Sequence, residues 1–128
     1  MFNYLIKIEY AGTNFVGWQS QKNGRSIQDS VETALKKVLK TKIKITGSGR
    51  TDKGVHALSQ FANFKSKIMI NEKKIFLNSM NFFLKKKFIS ILDLQTKSNE
   101  FHARFSAKLR TYEYLIINRQ GNLSIDKD

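Results

Sequence analysis

Gly47-Ser48-Gly49-Arg50-Thr51-Asp52-Lys53-Gly54 is the stretch whose residue types come closest to a reactive centre. Two familiar phosphate sites can be dismissed on residue type. A P-loop needs glycine before its lysine and Ser or Thr after it, whereas Asp52 precedes Lys53 and Gly54 follows, and a carboxylate there would repel a phosphate. The dinucleotide fingerprint fails as well, because its third glycine falls on Asp52 and no long helix is expected to follow. What remains is an aspartate on a tight turn, with Arg50 two residues away. A carboxylate beside a cation stays ionised at neutral pH, which suits a nucleophile or an electrostatic stabiliser better than a proton donor. The same two residues would also serve as an exposed ion pair worth at most about 1 kcal/mol. On chemistry alone both readings stay open.

The elements that must position this turn follow from periodicity. Phe2 to Tyr10 alternates, with Tyr4, Ile6 and Ile8 on one side and Leu5, Lys7 and Glu9 on the other, and predicts a strand. Gly12 to Gly24 is a loop. Ser26-Ile27-Gln28-Asp29 resembles a capping box, and Ile27, Val31, Ala34, Leu35, Val38 and Leu39 continue it at helical spacing to a helix end near Lys40. Lys42 to Thr46 predicts a second strand, with Ile43 and Ile45 inward, that runs into the glycine turn. Ala57 to Phe64 predicts a third strand. Asn71 is the expected cap of a helix through Leu84, with Ile75, Phe76, Met80 and Phe83 as a core stripe. Phe88 to Leu94 predicts a fourth strand, and Lys108 to Asn118 a long fifth one in which Arg110, Tyr112, Tyr114 and Ile116 share a face. The expected fold is α+β: a ferredoxin-like β-α-β-β-α-β antiparallel sheet backed by two helices, with an extra C-terminal strand.

Composition narrows the function classes. A chain of 128 residues is one domain of ordinary size with room for a core. It has no cysteine and only two histidines, far apart, so neither a disulfide framework nor a Cys-based zinc site is expected. His56 and His102 are expected to be structural, and no metal is predicted. No targeting segment and no membrane-length apolar run is present, which fits a reducing cytoplasm. The net charge of +13 points to a polyanionic partner, because Lys and Arg release counterions condensed on phosphates. Lysine dominates that charge in a sequence also rich in Ile, Asn and Phe, so a lysine-coated enzyme fits it equally.

Three segments then carry a resemblance. Gly49-Arg50-Thr51-Asp52-Lys53-Gly54-Val55-His56-Ala57 is similar to the catalytic motif of the A-type tRNA pseudouridine synthases. Tyr10-Ala11-Gly12 through Gly17-Trp18-Gln19 resembles the N-terminal stretch of that family, and Phe101-His102-Ala103-Arg104-Phe105-Ser106 resembles its Phe-His-Ala-Arg-Phe-Ser segment. The resemblance implies isomerisation of uridine to pseudouridine at positions 38 to 40 of the tRNA anticodon stem-loop, with no cofactor and no metal, by a homodimer. Asp52 falls on the family's catalytic aspartate. Arg50 falls on the arginine that helps hold the flipped nucleotide, and Tyr112 on the tyrosine that stacks on the target uracil.

The sequence also departs from the family. Ala11 replaces an acidic residue, Lys53 a small one, and Ser59 a common glycine; the segment at Asn81 lacks the Pro and Gly of the family's turn. Trp18 is expected to anchor its loop, and Lys85-Lys86-Lys87 to form a solvated turn or to track phosphates. The family carries a second, related domain, so residues 1–118 are expected to form the first and 119–128 to begin the connection to it. With one wall of the cleft on that second domain, the chain alone is expected to be inactive. A non-catalytic RNA-binding half-domain is the alternative, although the RRM aromatic signature is absent.

Overall fold

The computed structural model describes residues 1–12, 15–22, 24–49 and 57–103. Within them β1 (Phe2–Tyr10), α1 (Ile27–Leu39), β2 (Thr46–Gly47), β3 (Ala57–Ser66), α2 (Lys73–Leu84) and β4 (Ile89–Lys97) follow in chain order. The sheet runs β2-β3-β1-β4, and every neighbouring pair is antiparallel. Two split β-α-β units therefore interlock: β3 lies between β1 and β2, and β1 lies between β3 and β4. This is the expected ferredoxin-like arrangement. The expected fifth strand, over 108–118, lies outside the described residues.

Register explains the core. Tyr4 stands opposite Phe64 and Ile6 opposite Ala62 and Leu94, and all of these side chains are buried. Residues opposite one another in an antiparallel pair share a face, so this face takes the helices. Ile27, Val31, Leu35, Phe76, Met80 and Leu84 close it. Lys7 and Asp93 are partners but Ile8 pairs with Ile91, which leaves Leu92 as an extra residue in β4, 43% exposed.

Ser26 caps α1 as expected: its Oγ accepts from the Asp29 N–H at 3.0 Å. The helix ends on Lys40, whose φ of 61° stops propagation.

Three expectations need correction. The second strand is only Thr46–Gly47, although Ile43 and Ile45 are buried as foreseen. The Ile45 backbone bonds to α1 side chains, not to the β3 ladder. Asn71 does not cap α2; Glu72 occupies that position and makes no side-chain cap bond. The α2 stripe is Phe76, Met80 and Leu84, while Ile75 is 62% exposed and Phe83 36%. A helix lying on a sheet buries a narrow seam, and those two residues fall at its borders.

Candidate active site

The glycine turn leaves the sheet where the β2–β3 ladder ends. That ladder pairs Thr46 with Asn63 and Gly47 with Ala62. One step on, the Ser48 N–H donates to the Phe61 carbonyl at 2.7 Å. Beyond it, Gln60 Nε2 donates to the Gly49 carbonyl at 2.6 Å, and Ser48 Oγ donates to Gln60 Oε1 at 3.4 Å. The chain from Gly49 to Ala57 is thus held at its first residue by a side chain of the strand it returns to.

Trp18 supports this turn from beneath. It is buried, as an anchor should be, and lies against Tyr10 with ring centroids 6.3 Å apart. Its indole approaches Gly47 so closely that a Cβ there would stand 2.6 Å from Nε1. The loop carrying Trp18 is itself tied to α1. The Gln28 N–H donates to the Trp18 carbonyl at 3.0 Å, and the Ser20 N–H donates to Gln28 Oε1 at 3.0 Å.

The same helix grips the approach to β2. Gln28 Nε2 donates to the Ile45 carbonyl at 3.3 Å, and the Ile45 N–H donates to Glu32 Oε2 at 2.9 Å. Gln28 also donates to Glu32, at 3.2 Å. One turn of α1 therefore takes both polar groups of Ile45, which the short ladder leaves unpaired. Between loop and turn opens a cleft of about 470 Å³, lined by Trp18, Gln19, Gln28, Thr46, Gly47 and Gly49.

The helix-free face of the sheet has a clamp of its own. Asn3 and Asn63 are buried there, at 1% and 6% exposure, beside buried Leu5. Asn3 Nδ2 donates to the carbonyls of Ser98 and Phe101, both at 2.8 Å. Asn63 Nδ2 donates to Asn3 Oδ1 at 3.3 Å, and the Ala103 N–H donates to Asn63 Oδ1 at 2.9 Å. The Phe101-His102-Ala103 segment is thereby pinned across β1 and β3, with Ala103 buried and His102 half-buried. Sequence reading missed Gln60, Asn3 and Asn63. The available signal was a carboxamide standing in a strand otherwise rich in apolar residues.

The expected site residues Asp52 and Arg50, with Lys53 and His56, lie outside the described residues, between the fixed ends Gly49 and Ala57. Tyr112 and Tyr114 also lie outside them, beyond the pinned Ala103. Among the described residues no His, Cys, Asp and Glu side chains gather as a metal site, and no helix is long and apolar enough to cross a membrane. The lysine run forms a single 3-10 turn, Lys85–Lys87, with Lys85 over the Phe82 ring at 5.5 Å.

Comparison with known proteins adds to this geometry. A family model described as tRNA pseudouridine synthase matches residues 6–106, from within β1 past the pinned segment. A tRNA pseudouridine synthase A of Pelagibacter ubique (strain HTCC1062) is 49% identical over 128 residues, which is 100% of this chain and 52% of that protein. One of Caldicellulosiruptor saccharolyticus is 48% identical over 120 residues, covering 94% of this chain and 48% of the relative. One of Anaplasma phagocytophilum (strain HZ) is 42% identical over 125 residues, covering 96% and 50%. The chain spans about half the length of the curated relatives it matches.

Proposed function

The chain belongs to the tRNA pseudouridine synthase family, and from that premise we propose that it is the first domain of an enzyme that isomerises uridine to pseudouridine at positions 38 to 40 of the anticodon stem-loop. Residues 119–128 would begin the connection to a second domain, and the complete enzyme would work as a cytoplasmic homodimer. Asp52 is the nucleophile. Its carboxylate attacks the ribose C1′ or the uracil ring, so that the base detaches, rotates and rejoins through C5. The bond from N1 to C1′ breaks, the bond from C5 to C1′ forms, and a proton leaves C5 while N1 gains one. Product and substrate hold the same atoms, so no oxidant, reductant or group donor is consumed.

Arg50 holds the extruded nucleotide, whose unstacking costs a few kcal/mol that protein contacts must offset. Tyr112 stacks on the uracil, a contact worth about 1–3 kcal/mol by analogy with single-strand binders. The net charge of +13 draws in the tRNA backbone, so affinity should fall steeply with salt. The observation that carries the reading is the family match across residues 6–106, which spans the whole Gly49–Ala57 segment and both of its anchored flanks.

The deciding experiment is Asp52→Asn in the complete gene product, assayed for pseudouridine in unmodified tRNA. Turnover should vanish while tRNA affinity stays within a few fold, because phosphate contacts dominate binding. Retained turnover would refute the role of Asp52.

A further inference from the structure

Gln60 is a buried carboxamide where the sheet has no need of one. It pairs in register with Ile8, which is fully buried, and the next positions on its face of β3 are Ala62 and Phe64, at 0% and 1% exposure. An apolar side chain would fill this place without the desolvation penalty that a carboxamide meets unless it is hydrogen-bonded. The bonds it makes therefore show what it is there for. Nε2 reaches the Gly49 carbonyl at 2.6 Å, and Oε1 faces the Ser48 hydroxyl.

Gly49 needs such a hold. The ladder stops at Gly47 and one further backbone bond fixes Ser48. Gly49 itself is exposed, and among the described residues a Cβ built on it would meet nothing within 4 Å, so none of them restrains it by packing. Glycine is also the residue with the most backbone freedom to lose. Among the described residues, Gln60 is the tether of its carbonyl. The next residue along the chain is Arg50, and Asp52 is three positions from the tether.

We propose that Gln60 is a positioning residue for Asp52: by pinning the Gly49 carbonyl to β3 it fixes the point from which the nucleophile's segment departs. The inference rests on the reading of Asp52 as nucleophile. A reacting carboxylate must be held to within about half an ångström, and a displacement of about 1 Å can cost a factor of roughly a hundred in rate. In this role Gln60 acts through the Gly49 carbonyl.

The test compares Gln60→Met and Gln60→Glu with the wild type in the complete gene product. Methionine keeps the length and volume but donates no hydrogen bond; glutamate places a carboxylate against the Gly49 carbonyl. In both, kcat for pseudouridine formation should fall roughly ten- to hundredfold. KM for tRNA should stay within about threefold, because phosphate contacts are untouched. Amide hydrogen exchange should rise at least severalfold in the 48–56 peptide and stay unchanged in β1 and α1. Wild-type kcat in Gln60→Met would overturn the proposal. So would a fall in kcat with no change in exchange at 48–56, or a general rise in exchange across the sheet. A wild-type protein that makes no pseudouridine would instead sink the reading of Asp52, while exchange alone still decides whether Gln60 holds the turn.

Discussion

The carboxamides of Asn3 and Asn63 hydrogen-bond to one another at 3.3 Å, one strand apart, and together hold the carbonyls of Ser98 and Phe101 and the N–H of Ala103. Each amide is the other's partner, and both are buried. Losing one leaves buried polar groups unmet, at about 1–3 kcal/mol each, which exceeds the usual worth of a single hydrogen bond. Asn63→Leu should therefore destabilise the domain by about 2–3 kcal/mol. Asn3→Leu in the same background should cost less than it does alone, since the interaction is already gone. Urea unfolding of the two single variants and the double variant checks this; strict additivity would show that the amides act separately.

Asn81 stands in a helix but bonds to a strand. Its Oδ1 accepts from the Ile91 N–H at 2.7 Å and its Nδ2 donates to the Ile91 carbonyl at 3.0 Å. Among the described residues β4 is an outer strand of the sheet, so this amide closes an edge that could otherwise pair with another chain. Asn81→Leu would gain a few tenths of a kcal/mol in helix propensity and lose two bonds of about 0.5–1.5 kcal/mol each. A net loss of about 1–2 kcal/mol is expected, with concentration-dependent light scattering that the parent does not show. Unchanged scattering would mean that α2 covers the edge by bulk alone.

Asp93 forms an ion pair with Lys73 of α2, and the hydrogen bond from that lysine holds its carboxyl below the usual carboxylate range. A carboxyl with a lowered folded pKa contributes stability that is fully present above its unfolded value and lost as pH falls through the folded one. Both side chains are well exposed to solvent, so the pair is worth under about 1 kcal/mol at neutral pH. A double-mutant cycle on Lys73→Met and Asp93→Asn should show coupling at pH 7 and none at pH 2. Coupling that survives in acid would point to packing by the lysine stem.

Much of this fold was legible because burial follows period. β1 is delimited to the residue, and α1 is bracketed by the Ser26 cap and by Lys40. What could not be read was where backbone groups find partners outside a ladder. Ile43 and Ile45 alternate as a strand should, yet the Ile45 N–H and C=O go to Glu32 and Gln28, a tertiary contact with no local signature. The turn before β4 lacks Pro and Gly, and is made instead by a 3-10 turn followed by Phe88 at φ 60°, a conformation that bulky residues seldom adopt. At the candidate site, the motif drew attention to Asp52 and Arg50, whereas the side chain that holds their segment's first residue, Gln60, lies beyond the turn on β3. A propensity scale sees Gln60 only as a poor strand residue. Ser59 shows the converse: among the described residues its buried Oγ has no hydrogen-bond partner, and nothing in its strand pattern marks it.

Gly47 joins packing to the site most directly. It is the last residue of the β2 ladder, it precedes the Ser48–Gly49 turn, and Trp18 lies against its α-carbon. In Gly47→Ala the new methyl would sit 2.6 Å from Trp18 Nε1, with further ring atoms at 2.7 and 2.9 Å. The ring cannot retreat easily, because it is buried and backed by Tyr10. The strand must yield instead, and overpacking of this kind costs about 1–3 kcal/mol. A shift of β2 moves Ser48 and Gly49 relative to Gln60, so the 2.6 Å bond that fixes the turn should lengthen. Gly47→Ala is therefore expected to lower stability by about 1–3 kcal/mol and to change the emission of the single tryptophan. Beyond that it should reproduce the Gln60→Met phenotype, raising exchange at 48–56 and lowering kcat, though Gln60 itself is intact. Loss of stability with Gln60-like exchange unchanged would show that the turn is held by β3 alone, and that Trp18 supports the core without reaching the site.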